Sequence, residues 1–314
     1  MSTLRQYLIP LFAACMALAA GIALGGGPLQ TASGADDNES LQSSNHALRD
    51  ELVAVRAGMS FDEALSSATA PGLLTGRLAN LGVTLVVLPR VGPTWVGDMA
   101  AAVEWSGGIV TSVVTLDDDV VDPEKKTYVD SVTDSTLRGV KDLAATPADE
   151  TYARFGAVLA RAYVGQSDDD AYDDVALKID SELEGAKLVM LSEQPLRRGT
   201  VVIVLSSGER GDDRVTEAGH VIAVELVTEL AKASDGLVVT TPSTGREDNG
   251  LLTRLTDVAD VKRLPVSTIN AGGTSGALVA TVDALAAAAA GEPGDFGIVD
   301  GKAALPPGLA PEGG

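Results

Sequence analysis

Val201-Val202-Ile203-Val204-Leu205 is followed by a helical pattern from Val215 to Ala233 and then by Leu237-Val238-Val239-Thr240-Thr241. Two apolar runs with no polar alternation imply strands buried on both faces, and an intervening helix of this length is the crossover that parallel neighbours need. The same grammar extends outward. Val83 to Leu88 (VTLVVL), Ile109 to Leu116 (IVTSVVTL), Lys187 to Leu191 (KLVML) and Val266 to Ile269 read as further strands. Trp95 to Trp105, Lys125 to Leu143, Tyr152 to Tyr163, Tyr172 to Leu183 and Thr274 to Ala290 read as helices. The expectation for residues 67–301 is an α/β domain with a mostly parallel, Rossmann-like sheet covered by helices. Residues 117–185, acidic and helical, read as an insertion between two halves of that sheet. The Pro- and Gly-rich tail, residues 302–314, reads as disordered.

Upstream, Leu8 to Leu24 (LIPLFAACMALAAGIAL) carries no charge over 17 residues. Its length is near the lower limit for a single transmembrane helix, with Leu8, Leu11, Phe12, Leu18, Ile22 and Leu24 as the anchor residues. Residues 1–34 are therefore expected to form a membrane anchor and linker. The rival reading is a cleaved signal peptide, for which Ala17-Leu18-Ala19 offers a small-x-small site, although the apolar run continues past it to Leu24. Arg5 on one flank and Asp36, Asp37 and Glu39 on the other place the main domain outside the cytoplasm, by the preference of basic residues for the cytoplasmic side.

Residues 35–66 are polar and helix-compatible. A heptad places Asn38, Asn45, Leu52 and Met59 at a, and Leu41, Leu48 and Val55 at d. The seam Leu41, Asn45, Leu48, Leu52, Val55 and Met59 suggests a short coiled coil and a homodimer, in which Asn at a sets a parallel register. The competing reading is a single amphipathic helix.

Forty-four acidic residues against 23 basic ones give a formal net charge of −21. Such a field repels phosphate backbones and argues against nucleic-acid binding. The single cysteine, Cys15, excludes an intramolecular disulfide and paired-cysteine zinc sites.

Ligands of doubly wound sheets sit beyond the carboxyl ends of the strands. There, Ser206 to Gly211 (SSGERG) lacks both the GxGxxG and the Walker pattern, and Glu209, Asp212 and Asp213 oppose a phosphate. Asn270 to Gly276 (NAGGTSG) opens a helix, with Thr274 or Ser275 as its N-cap. No GxSxG elbow exists, and His220 reads more readily as a surface or capping residue than as a base. No enzyme chemistry and no cofactor is therefore expected. The acidic runs Asp117 to Asp119 and Asp168 to Asp170, the latter with Asp173 and Asp174, lack EF-hand spacing and read as solvated helix starts. Soft-metal ligands, namely Cys15, Met16, Met99 and Met190 with His46, Met59 and His220, are scattered along the chain without a close group, and His46, Met59 and His220 remain as weak metal candidates.

Leu4-Arg5-Gln6, an apolar run ending Gly21-Ile22-Ala23-Leu24-Gly25, and Val266-Ser267-Thr268-Ile269-Asn270 leading through an alanine-rich helix to Gly294-Asp295-Phe296-Gly297 together resemble the actinobacterial family of mycobacterial copper transport protein B (MctB). The resemblance implies a non-enzymatic cell-envelope protein, outer membrane included, with a channel or copper-efflux role and copper as the metal concerned. In that family the last motif tends to read Gly-His-Tyr-Gly, so Asp295 and Phe296 replace its histidine and tyrosine. The residues alone also support a second reading, a membrane-anchored dimeric scaffold that binds an envelope partner such as a regulator of cell-wall remodelling.

Overall fold

The computed structural model describes residues 28–138, 140, 151–167, 171–209 and 213–310. The expected anchor, Leu8 to Leu24, and the Asp168 to Asp170 run lie outside the described residues. No helix among the described residues is long and apolar enough to cross a membrane. The chain divides into two units between Asp62 and Glu63.

The first helix, α1 (Pro28–Leu74), extends beyond the expected 35–66 at both ends. There follow β1 (Gly82–Val87), α2 (Pro93–Trp105), β2 (Ile109–Leu116), α3 (Asp118–Val121), α4 (Lys126–Arg138), α5 (Thr151–Tyr163), α6 (Asp174–Gly185) and β3 (Val189–Leu191). The second half comprises β4 (Val201–Leu205), α7 (Arg214–Ala233), β5 (Gly236–Thr240), α8 (Leu251–Asp257), β6 (Val266–Ile269), α9 (Ser275–Ala289), β7 (Asp295–Val299) and β8 (Lys302–Ala304). Among the described residues, eight strands form one sheet in the order β3-β2-β1-β4-β5-β6-β7-β8. All neighbours are parallel except β2 with β3 and β7 with β8.

The central strands β1, β4 and β5 are buried at every position, as their uninterrupted apolar runs require. Alternate residues feed two cores. Val202 and Val204 point into a layer built by α5, α6, α7 and α8, while Val201, Ile203 and Leu205 pack with Ala70, Leu74, Met99 and Leu285 on the other face. The first layer also contains a polar plug. Tyr163 Oη donates to Asp180 Oδ1 at 2.7 Å, its ring stacks on Tyr172 with centroids 6.3 Å apart, and burial pushes the Asp180 carboxyl above its ordinary range.

Within residues 117–185, Phe155, Val158, Leu159 and Tyr163 of α5 are fully buried in the same core as Val202 and Val204. The tail holds a short strand, β8, and is described through Ala310. Asp300 (φ 50°) and Gly301 (φ 72°) make the two-residue left-handed turn that joins β7 to β8. Beyond β8, Gly308 N–H donates to the buried Asp283 at 2.9 Å and Gly308 C=O accepts from Arg77 at 3.0 Å. Through Ala310 the prolines and glycines lie in turns and loops.

Candidate functional site

The order of strands reverses between β1 and β4, since the chain winds outward from that pair in both directions. Such a switch point leaves a crevice beyond the strand ends. Here it is a cavity of about 160 Å³ whose floor includes Leu88, Val121 and Ala223 and whose rim includes Arg90, Asp118 and Glu209. Nucleotide and drug-sized sites occupy roughly 300–1,000 Å³, so this cleft is small for such ligands.

The rim is closed by its own charges. Arg90, held at φ +65° shortly after β1, places Nη1 at 2.6 Å from Glu209 Oε2 and Nε at 3.5 Å from Asp118 Oδ1. Arg90 and Asp118 are solvent-exposed and Glu209 is half-buried, so the pairs orient side chains more than they stabilise the fold. Gly208 (φ +68°) turns the chain after β4, and a Cβ there would meet Pro242 Cδ at 2.7 Å.

The start of α7 is where a nucleotide-binding doubly wound sheet would offer backbone N–H groups to a phosphate. In this chain Asp213 takes them. Its Oδ1 accepts from Val215 N and Thr216 N, both at 2.9 Å, its Oδ2 accepts from the Thr216 hydroxyl at 2.8 Å, and its C=O accepts from Glu217 N at 2.9 Å. The Thr216 N–H and hydroxyl, with help from the Arg90 charge, hold the Asp213 carboxyl below its ordinary 3.8. The sign follows from linkage. A carboxyl lowered on folding stabilises the fold above its unfolded value, and that contribution is lost as pH falls through the folded value. The backbone amide resonances of Val215 and Thr216 should therefore titrate together with a midpoint below 3.8. A midpoint at or above it would mean that the cap does not form. Arg210, Gly211 and Asp212 of this loop lie outside the described residues.

His220 is not a surface or capping residue. It is 8% exposed, and its Nδ1 lies 2.8 Å from the Asn249 carbonyl. A carbonyl only accepts, so Nδ1 is a donor in this contact. Among the described residues no serine hydroxyl or carboxylate is hydrogen-bonded to the ring, so no nucleophile and base are paired here.

His46 and Met59 are exposed on α1 and thirteen positions apart, about 20 Å along a helix axis. Met99 is fully buried beneath the sheet, and Met190 is exposed on the edge strand β3. Among the described residues no group of three or more His, Cys, Asp or Glu side chains is placed to hold a metal ion. Asp295 is engaged by Arg246 Nη2 at 3.2 Å and by the Thr268 hydroxyl. The flanking glycines are there for packing. A Cβ on Gly294 would meet the Phe296 ring at 2.6 Å, and Gly297, at φ +97°, abuts Asn270 Oδ1.

The Asn270 to Gly276 loop behaves as a helix start. Thr274 caps α9 by accepting from Ala277 N at 3.1 Å. Sequence reasoning missed the second cap, Glu63 of α1, whose Oε1 accepts from Ser275 N at 2.9 Å and from its hydroxyl at 2.6 Å.

The fold and the cleft together define a doubly wound α/β domain with a small acidic crevice where nucleotide-dependent enzymes keep a phosphate cradle. The chain belongs to the MctB family: the family model described as "Copper transport outer membrane protein, MctB" matches residues 1–307. That description places it in the cell envelope, and the family is not an enzyme family. No curated protein matches the chain.

Proposed function

We propose that this protein is a non-enzymatic component of copper efflux in the cell envelope, tethered by residues 8–24 with its α/β domain outside the cytoplasm. The family match over residues 1–307 carries this reading. The geometry supports a binding and assembly role within it, with copper as cargo of the pathway. Asp213 consumes the helix donors that a phosphate would need, and the soft ligands Met59, Met99, Met190 and His220 sit on different elements.

Deleting the gene should raise cellular copper, and the full chain should restore it. Variants His220→Ala and Met190→Leu should complement as well as the parent. Normal copper in the deletion strain would overturn the proposal. The scaffold reading is favoured by one observation, the exposure of Leu48, Leu52, Val55 and Met59 along α1. Altered cell separation with normal copper would support that reading instead.

A further inference from the structure

The stretch of α1 from Asn45 to Met59 carries an exposed apolar stripe. Leu48, Leu52, Val55 and Met59 are each more than half exposed, and they follow the alternating spacing of four and three residues that forms a coiled-coil seam. A water-facing stripe of this kind needs an occupant, and the charges beside it select one. With Leu52 at a, Glu51 occupies a g position, and Arg49 and Arg56 occupy e positions. In a parallel in-register pair, g of one helix faces the e five residues later on the other. Glu51 then meets Arg56 of the second copy, twice by symmetry. An antiparallel pair would bring e against e, setting Arg49 against Arg56. Asn45, exposed at a, meets its own copy only in the parallel register, where one buried amide pair fixes alignment at a cost in stability.

We infer that α1 pairs with a second copy of this chain as a parallel, in-register coiled coil over residues 45–59, with Glu51 and Arg56 reciprocally paired across the seam. This specifies the dimer that the scaffold reading assumes, and so rests on it. Anchorage is consistent with the polarity. The apolar run ends at Leu24, just before Pro28, so copies held in one membrane enter their helices side by side and in the same direction.

The test uses the full chain in detergent with Cys15→Ala as background, followed by sedimentation over a concentration series. The parent should dimerise. Glu51→Arg and Arg56→Glu should each weaken association about tenfold, and the double swap should restore it, because the pairs re-form with exchanged partners. Phe61→Glu, at a c position off the seam, should leave the affinity unchanged. Leu48→Cys should give a disulfide-linked dimer on mild oxidation. A parent that stays monomeric at all concentrations would overturn both the dimer and this pairing. A dimer that is indifferent to both charge reversals, and that forms no disulfide in the Leu48→Cys variant, would overturn the parallel register alone.

Discussion

Phe155→Ala should destabilise the entire α/β domain by about 3–5 kcal/mol, the usual cost of emptying a ring-sized volume in a core. The ring is fully buried, and α5 has almost no solvent face. Its packing on α7 is close enough that a Cβ on Gly156 would come within 2.9 Å of Glu229 Cβ. A helix buried on nearly every side is a structural member of the layer it lies in, although the chain reaches it only after leaving β2. The measurement is urea unfolding of residues 28–314, followed both by far-ultraviolet circular dichroism and by tryptophan fluorescence. Trp95 and Trp105 both belong to α2, which packs on the opposite face of the sheet. Coincident transitions, both shifted to lower urea, are expected. If the dichroism fell early while the fluorescence midpoint stayed in place, residues 117–185 would be a detachable insertion after all. Against a typical total of about 5–15 kcal/mol, a loss of this size leaves a marginal domain.

The contrast between this helix and the strands shows which physics is local. Ile109–Leu116, Val201–Leu205 and Val266–Ile269 have the bounds read from the sequence; β4 is buried at every position and so writes itself into consecutive apolar residues, while β2 alternates buried with half-buried positions towards its carboxyl end. β1 begins one residue earlier than its apolar run, since Gly82 pairs with Ile109 through backbone alone and carries no side-chain signal. β7 and β8 are half-exposed, short and interrupted by Gly297, so hydropathy hides them. The Asp300-Gly301 dipeptide was the available signal, because it supplies a hairpin turn with both central residues at positive φ.

The cleft was legible only in part. That ligands gather at carboxyl ends of strands follows from any parallel sheet, but the neighbourhood of β1 and β4 is a product of strand order, which no local pattern encodes. Asp213 carried a readable cap signal, an Asp immediately before Arg214, Val215 and Thr216. The burial of His220 depends on Asn249, 29 residues away, and the Glu63 cap on Ser275 spans 212 residues. Both contacts arise from packing of distant elements and leave no trace in periodicity.

Asn270→Ala should cost about 2 kcal/mol, and the reason lies in how the last parallel strand is held. β6 ends at Ile269, yet β7 runs on to Val299. Asn270, 3% exposed, bridges the difference with its side chain: Nδ2 donates to Ile298 C=O and Oδ1 accepts from Ile298 N–H. The amide therefore substitutes for a backbone unit that β6 no longer provides, and the identity of its two partners fixes its orientation. Removing it strips two hydrogen bonds from the β7 edge. Ile298 is 48% exposed, so water recovers part of the loss and the cost stays below that of a fully buried pair. Gly297→Ala attacks the same clamp from the other side, because its Cβ would press on Asn270 Oδ1 and its φ of +97° disfavours any side chain. The two substitutions share one cause, so they should not add. Once Asn270 is truncated, the new methyl at position 297 loses its worst contact, and what remains is its approach to Asn270 N at 3.0 Å and its backbone strain. A double-mutant cycle by urea unfolding should give a coupling of about 1 kcal/mol, with the double variant more stable than the sum of singles allows. Strict additivity would mean that Gly297 serves its positive φ alone and that the Asn270 clamp does not set the approach of β7 to β6.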